Sequence, residues 1–363
     1  MEIIHKTILL PNDCYTLQYF GDHTAFFDIE TTGFSGKNCI IYLIGLVIRN
    51  GNTMEIYQYF ANSFKEEAEI LTAFHETIKT VSSLICYNGL NFDLPFLKQR
   101  EEKLHLSFSW ESISFLDLYQ ETRQLGNLLR LPDKKQKTLE SFLGIHRGDT
   151  YTGGELISVY CQYEKQPTDF AKNLLLLHNY EDILGMTKLL PLLSYNSFFR
   201  EEPVLEKACV EETLPFDAES PIKELQISLQ ASLPFPRQIT LEKDVYRLVF
   251  RQNHVHLFVP VLEGELRFYY DNYRDYYYLP AEDIAVHKSV ASFVDKSHRK
   301  KATPKTCYTR RVGLFLPQCS DWFTPCFYPG QKEKKSYFEY CEDFLSDPCS
   351  LGLYIKNILS LFI

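Results

Sequence analysis

The stretch AFFDIETTG, residues 25–33, decides how this chain is read. Ala25 to Phe27 form a short apolar run, and on a strand the alternation of side chains sends Asp28 and Glu30, two residues apart, to the same face. Two carboxylates so placed repel each other unless something positive lies between them, and hard divalent cations prefer carboxylate oxygens. The apolar flank argues against a solvated strand end, and the following Thr31-Thr32-Gly33 strengthens the metal reading.

Working outward, the next acid of interest lies in YNGLNFDLPFL, residues 87–97. Ser83 to Tyr87 reads as a buried strand and Phe92 to Lys103 as a helix, so Asp93 falls just past a strand's C-terminal end, where ligand sites of α/β sheets gather. Capping of that helix by Asn91 or Asp93 is the plainer alternative. Asn88-Gly89 marks a tight turn. A third piece is HNYED, residues 178–182, inside a long helix expected over 169–193 with a cap signal at Asp169. His178 and Asp182 are four residues apart and share a helix face, with Tyr180 on another. Four carboxylates can hold two Mg²⁺ or Mn²⁺ ions roughly 4 Å apart, and a histidine beside them can take a proton from the attacking water.

Between these pieces, Cys39 to Arg49 is a β-branched run, Asn50-Gly51-Asn52 a hairpin signal, and Thr53 to Phe60 its return strand. Helical spacing over 66–81 follows, and Ile113 to Leu118 supplies a fifth strand. The order is β-β-β-α-β-α-β. Residues 120–168 read as a helix-loop insert broken by Pro132, Gly144, Gly148, Gly153-Gly154 and Pro167. The expected fold is α/β, a ribonuclease H-like mixed sheet flanked by helices over residues 1–194. An acidic linker with Pro203, Pro215 and Pro221 is expected over 195–221. A smaller β-rich (α+β) domain is expected over 222–363, with strands at 226–233, 245–250, 255–261 and 265–270, a helix near 284–295 and an apolar C-terminal helix near 349–363.

A chain of 363 residues is long enough for two cores. Its apolar fraction of 45% and charged fraction of 23% exclude a fibrous or disordered chain. No apolar run reaches the roughly 20 residues that cross a bilayer, and MEIIHKTILLPND lacks the flanks of a secretory signal, so a cytoplasmic protein is expected. The ten cysteines contain no CxxC pair, which argues against a zinc ribbon. Net charge is -9, from 38 basic and 47 acidic residues, the wrong sign for a protein that coats nucleic acid. One local exception is KSHRKKATPKTCYTRR, residues 296–311, which has seven Lys and Arg and no acid and follows a run of tyrosines. Cations beside aromatic rings suit a single strand, through phosphate contacts and base stacking, with a solvated, mobile loop as the equal alternative. His254 and His256 share a strand face; packing is the favoured reading over metal ligation.

The ordered trio FDIETTG, YNGLNFDLPFL and HNYED resembles the three exonuclease motifs of the DEDD superfamily within the ribonuclease H-like fold, over about residues 22–193. The likeness is to predicted exonucleases of the YprB type. It implies metal ligation by Asp28, Glu30, Asp93 and Asp182, two Mg²⁺ or Mn²⁺ ions, His178 as general base, and 3′ to 5′ hydrolysis of DNA or RNA from a 3′ end. The residue four before Asp182 is His178, so the spacing is that of the family's tyrosine members and the residue that of its histidine members. A catalytically silent nucleic-acid-binding or scaffolding protein on the same fold is the alternative, and an endonuclease a third reading. No polymerase motif follows.

Overall fold

In a computed structural model, residues 1–213 and 221–363 are described. They form two compact units, Met1–Glu202 with Ser232–Arg237, and Pro203–Ala231 with Gln238–Ile363.

The first unit is built on a six-stranded mixed sheet of β1 (Glu2–Leu9), β2 (Thr24–Thr31), β3 (Ile41–Asn50), β4 (Thr53–Phe60), β5 (Ser83–Cys86) and β6 (Ser114–Asp117), in the order β1-β4-β3-β2-β5-β6. The hairpin β3-β4 turns at Gly51, whose φ of +59° suits glycine, and pairs Asn50 with Thr53. β2 runs antiparallel to β3 and parallel to β5, and β5 runs parallel to β6. Eight helices accompany the sheet: α1 (Cys14–Tyr19), α2 (Glu67–Ile78), α3 (Asp93–Leu104), α4 (Leu118–Leu128), α5 (Gln136–Phe142), α6 (Gly153–Lys165), α7 (Asp169–Leu189) and α8 (Leu193–Arg200). This is the α/β, ribonuclease H-like arrangement that the strand and helix order predicts. β1 is an addition. It lies exposed at the sheet edge, and only its pairing with β4 makes HKT a strand.

Alternation along β2 divides the unit. Ala25, Phe27 and Ile29 enter one core with Ile70, Leu71 and Phe74 of α2 and Leu94 and Leu97 of α3. Tyr42, Leu43 and Phe60 enter another with Leu156 and Tyr160 of α6 and Leu175 of α7. Burying side chains of this size contributes roughly 1.5–3 kcal/mol each, so the first core holds β2 against slipping by one residue. Such a slip would turn Asp28 and Glu30 into the first core.

In the second unit a five-stranded antiparallel sheet comprises β7 (Val204–Thr213), β8 (Ile222–Gln230), β9 (Ile239–Lys243), β10 (Tyr246–Arg251) and β11 (His254–Pro260), in the order β7-β8-β11-β10-β9. The remaining strands are β12 (Leu262–Tyr269), β13 (Tyr276–Leu279), β14 (Ile284–His287), β15 (Lys300–Lys301), β16 (Tyr308–Gln318) and β17 (Ser336–Glu339), which make the three-stranded sheets β12-β16-β17 and β14-β13-β15. Helices α9 (Lys288–Ala291), α10 (Glu342–Ser346) and α11 (Pro348–Leu359) complete it. The β-rich expectation for this region holds. Two local expectations do not. The helix near 284–295 is instead β14 followed by the single turn α9, because Ile284 to His287 ladder onto β13. The stretch 195–221, expected as a linker, carries the end of α8 and all of β7, whose acidic side chains stay at the surface while its backbone pairs with β8; residues 214–220 lie outside those described. The ten cysteines are free thiols. Among the described residues no helix is long and apolar enough to cross a membrane.

One buried ion pair secures the loop that follows the first acidic motif. Arg100 on α3 meets Glu67 on α2 through two hydrogen bonds of 2.7 and 2.6 Å, with both side chains buried. Arg100 also donates to the Gly36 carbonyl, and Glu67 accepts from the Ile41 amide, so the middle of the loop and the start of β3 are tied to the same pair. Removing one partner strands a charge in the core. Arg100→Ala should therefore cost about 3–5 kcal/mol in urea unfolding, whereas breaking the exposed Lys79–Glu76 pair should cost less than about 1 kcal/mol.

Candidate functional site

The acids of AFFDIETTG sit where β2 outruns its neighbour. β5 pairs with β2 only from Thr24 to Phe26, which leaves the amide of Ile29 without a strand partner on that side. Asp93 supplies the acceptor, with its Oδ1 3.0 Å from the Ile29 nitrogen. It caps no helix. The residue before α3 is Phe92, which makes no capping bond, and Asp93 is the helix's first residue, buried and turned to β2. The turn that delivers it needs a left-handed residue at Asn88, φ +59°, and a glycine at position 89, where a Cβ would strike the Cys86 side chain. Asp117, at the end of β6, fastens the same turn by accepting from the amides of Asn88 (2.7 Å) and Leu90 (3.2 Å).

From the other face comes α7, capped by Thr168 and not by Asp169. It delivers His178, Asn179 and Asp182. Gly45 on β3 permits the approach, since a Cβ there would overlap the Asn179 amide. That amide donates to Asp28 Oδ2 at 3.1 Å and accepts from Gln58, which fixes its orientation. The His178 Nε2 lies 3.2 Å from Asp182 Oδ2 and 3.7 Å from Glu30 Oε1. Glu30, His178 and Asp182 thus present ligand atoms within 4.8 Å of one another. Tyr180 faces elsewhere, with the Lys6 ammonium over its ring.

Four further residues come from the insert, where no periodic pattern singles them out. Asp149 is buried and accepts from His178 Nδ1 at 2.6 Å, while Lys137 pairs with it at 2.8 Å. Arg147 is gripped by Glu140 and reaches Asp182 Oδ1. Glu140 itself packs where α5 crosses α7 at Gly185, a position that admits no Cβ. The visible signal was HRGD, residues 146–149, a charged turn among apolar helices.

The electrostatics follow from this crowding. Burial, and then the charges of Asp182, Glu30 and Asp93, hold the Asp28 carboxyl well above the usual carboxylate range. Glu30 is held well above it by burial and by Asp182 and Asp93. Asp93 is pushed up to about 7, chiefly by burial, with the Ile29 amide acting against the rise. Asp149 behaves oppositely: burial would raise it, but the Lys137 ammonium, the Tyr151 amide and His178 outweigh burial and lower it. Asp28, Glu30 and Asp93, whose carboxyls resist ionisation together, lie with the Arg147-paired Asp182 beside one imidazole nitrogen as a donor set of hard oxygens. Divalent cations such as Mg²⁺ or Mn²⁺ fit it by charge and by ligand type.

A family model of the RNase H superfamily matches residues 25–194, the span that holds every residue of this site. No curated protein matches the chain. Among solved structures, the family B DNA polymerase of Pyrobaculum calidifontis is 14% identical with a TM-score of 0.36, covering 67% of this chain and 33% of the polymerase. Product-bound exonuclease I is 13% identical with a TM-score of 0.32, covering 57% of this chain and 58% of the other. E. coli exonuclease I in complex with a dT13 oligonucleotide is 12% identical, with a TM-score of 0.29 and coverage of 57% and 55%. The chain therefore spans a third of the polymerase and just over half of exonuclease I. Similarity of this degree leaves the chemistry to be argued from the side chains.

The raised carboxyls have a signed consequence. Asp93 binds its proton more tightly folded than unfolded, so its stabilising contribution is complete below its ordinary value of 3.8 and is lost as pH rises through about 7. In EDTA the melting temperature should fall between about pH 5 and pH 8, and less steeply in Asp93→Asn. Excess Mn²⁺, which needs deprotonated ligands, should raise it more at the higher pH. Differential scanning fluorimetry checks this; an equal Mn²⁺ shift at both pH values would count against a metal site here.

Proposed function

We propose that this chain is a metal-dependent 3′ to 5′ exonuclease that hydrolyses phosphodiester bonds of DNA or RNA, with Asp28, Glu30, Asp93 and Asp182 as metal ligands and His178 as the general base. The observation that carries the reading is the meeting of Glu30, Asp182 and His178, with Asp28 and Asp93 electrostatically tied to them, from three segments distant in sequence. The ordered motifs, in their resemblance to the DEDD superfamily, supply the direction of attack.

Two bound Mg²⁺ or Mn²⁺ ions would supply an activated water and neutralise charge on the scissile phosphate. The chain's own residues do the rest. Asp28 and Glu30 hold their positions by strand alternation, Asp93 by its bond to the Ile29 amide, and Asp182 by the Arg147 guanidinium. His178, with Nδ1 on Asp149, turns Nε2 toward the acids, where it is set to receive a proton from the attacking water. Asp149 fixes the imidazole orientation without touching the reacting atoms, and is a positioning residue.

Three outcomes test the reading. Asp28→Asn should abolish Mn²⁺-dependent degradation of a 5′-labelled single strand while leaving the circular dichroism spectrum unchanged, and the wild type should give a one-nucleotide ladder but spare a circular strand. Digestion of the circle would mean an endonuclease, and strand binding without turnover would favour the silent nucleic-acid-binding alternative. His178→Ala should lower kcat by roughly 10²–10⁴-fold with little change in the Mn²⁺ midpoint; a large shift in that midpoint would make His178 a ligand. Asp149→Asn should lower kcat about 10–100-fold, with Asp149→Glu partly restoring it.

A further inference from the structure

The tyrosine run and the basic stretch of the second unit meet in the small sheet β14-β13-β15. Tyr277 on β13 pairs with Lys301 on β15, and Tyr278 with Lys300. Beside them opens a cleft of about 390 Å³ lined by Tyr273, Arg274, Tyr276, Tyr277, Lys288 and Lys301. A nucleobase with its sugar fits a volume of this order.

The chemistry of the walls is one-sided. Three aromatic rings and three cations line the cleft, and no carboxylate does. The Arg299 guanidinium lies 5.0 Å from the centre of the Tyr277 ring, which holds that ring as a platform. Tyr276 is likewise held, stacked on Tyr270 at 4.4 Å. Lys288 shares its charge with Asp275. Among the described residues, Arg274 and Lys301 have no carboxylate within ion-pair distance, and both are exposed. A flat Tyr277 ring backed by one guanidinium, with free cations nearby, matches a splayed base flanked by phosphates. It does not match duplex, whose bases are stacked on each other. In a chain of net charge -9, so local a concentration of positive charge is not a general surface property.

We propose that this cleft is a single-stranded nucleic-acid site, with Tyr277 stacking a base and Arg274 and Lys301 contacting the flanking phosphates. It goes beyond the hydrolytic reading of the first unit and does not require it.

Binding by the full-length protein in EDTA, where no hydrolysis occurs, is measured by fluorescence anisotropy with labelled oligothymidine and oligouridine of about 20 nucleotides and a duplex of equal length. Single strands should bind more tightly than duplex. Tyr277→Leu should weaken single-strand binding roughly tenfold. The surface double variant Arg274→Ala/Lys301→Ala should weaken it and reduce the slope of log K against log salt by about 1.4, for two single-strand phosphates. The thymidine and uridine arms separate DNA from RNA as the preferred strand. Failure of the wild type to bind, or unchanged affinity and slope in both variants, would overturn the cleft. Binding in EDTA is read without turnover, so a failed nuclease assignment and a failed cleft give different results.

Discussion

Carboxylates gathered in one buried pocket repel one another, and the first unit is organised around that repulsion. Asp28 and Glu30 are two residues apart on β2; Asp93 and Asp182 approach from opposite faces of the sheet. Burial first, and then the charges of the neighbouring acids, hold the carboxyls of Asp28, Glu30 and Asp93 above the ordinary range. The cost of gathering them is tolerated because the apolar core packed on α2 and α3 fixes β2, and because three of the acids are oriented by neighbours: the Ile29 amide for Asp93, the Asn179 amide for Asp28, and Arg147 for Asp182.

Close approach is the second condition. α7 can lie against β3 only because position 45 has no side chain, and α5 can deliver Glu140 onto α7 only because position 185 has none. The two glycines work at different levels. Gly45 lets Asn179 reach both Gln58 and Asp28, so it serves the acids directly; Gly185 seats Glu140, which grips Arg147 and through it acts on Asp182. The insert between β6 and α7 is thus part of the site, since it contributes Arg147 and Asp149 and seats them against α7.

The second unit uses different means. Its strands are antiparallel, and aromatic rings are stacked on each other and on arginines. His254 and His256 share a face of β11 but turn to Glu206 and Ser228, and among the described residues no third ligand joins them.

The sequence by itself determined the alternation that puts Asp28 and Glu30 on one face, the helical spacing that puts His178 with Asp182, and the strand and helix order of the α/β sheet, because these depend on periodicities of two and 3.6 residues that are local. It did not reveal β1 or β7, whose polar stretches become strands only through their partners, nor the β14 strand written in residues that read as helix. Tertiary structure alone decided that Asp93 spends its carboxylate on β2 instead of capping α3, and that Asp149 and Arg147 join the site. Those outcomes depend on which amide is left without a strand partner and which helix crosses which, and no spacing within a single segment encodes them.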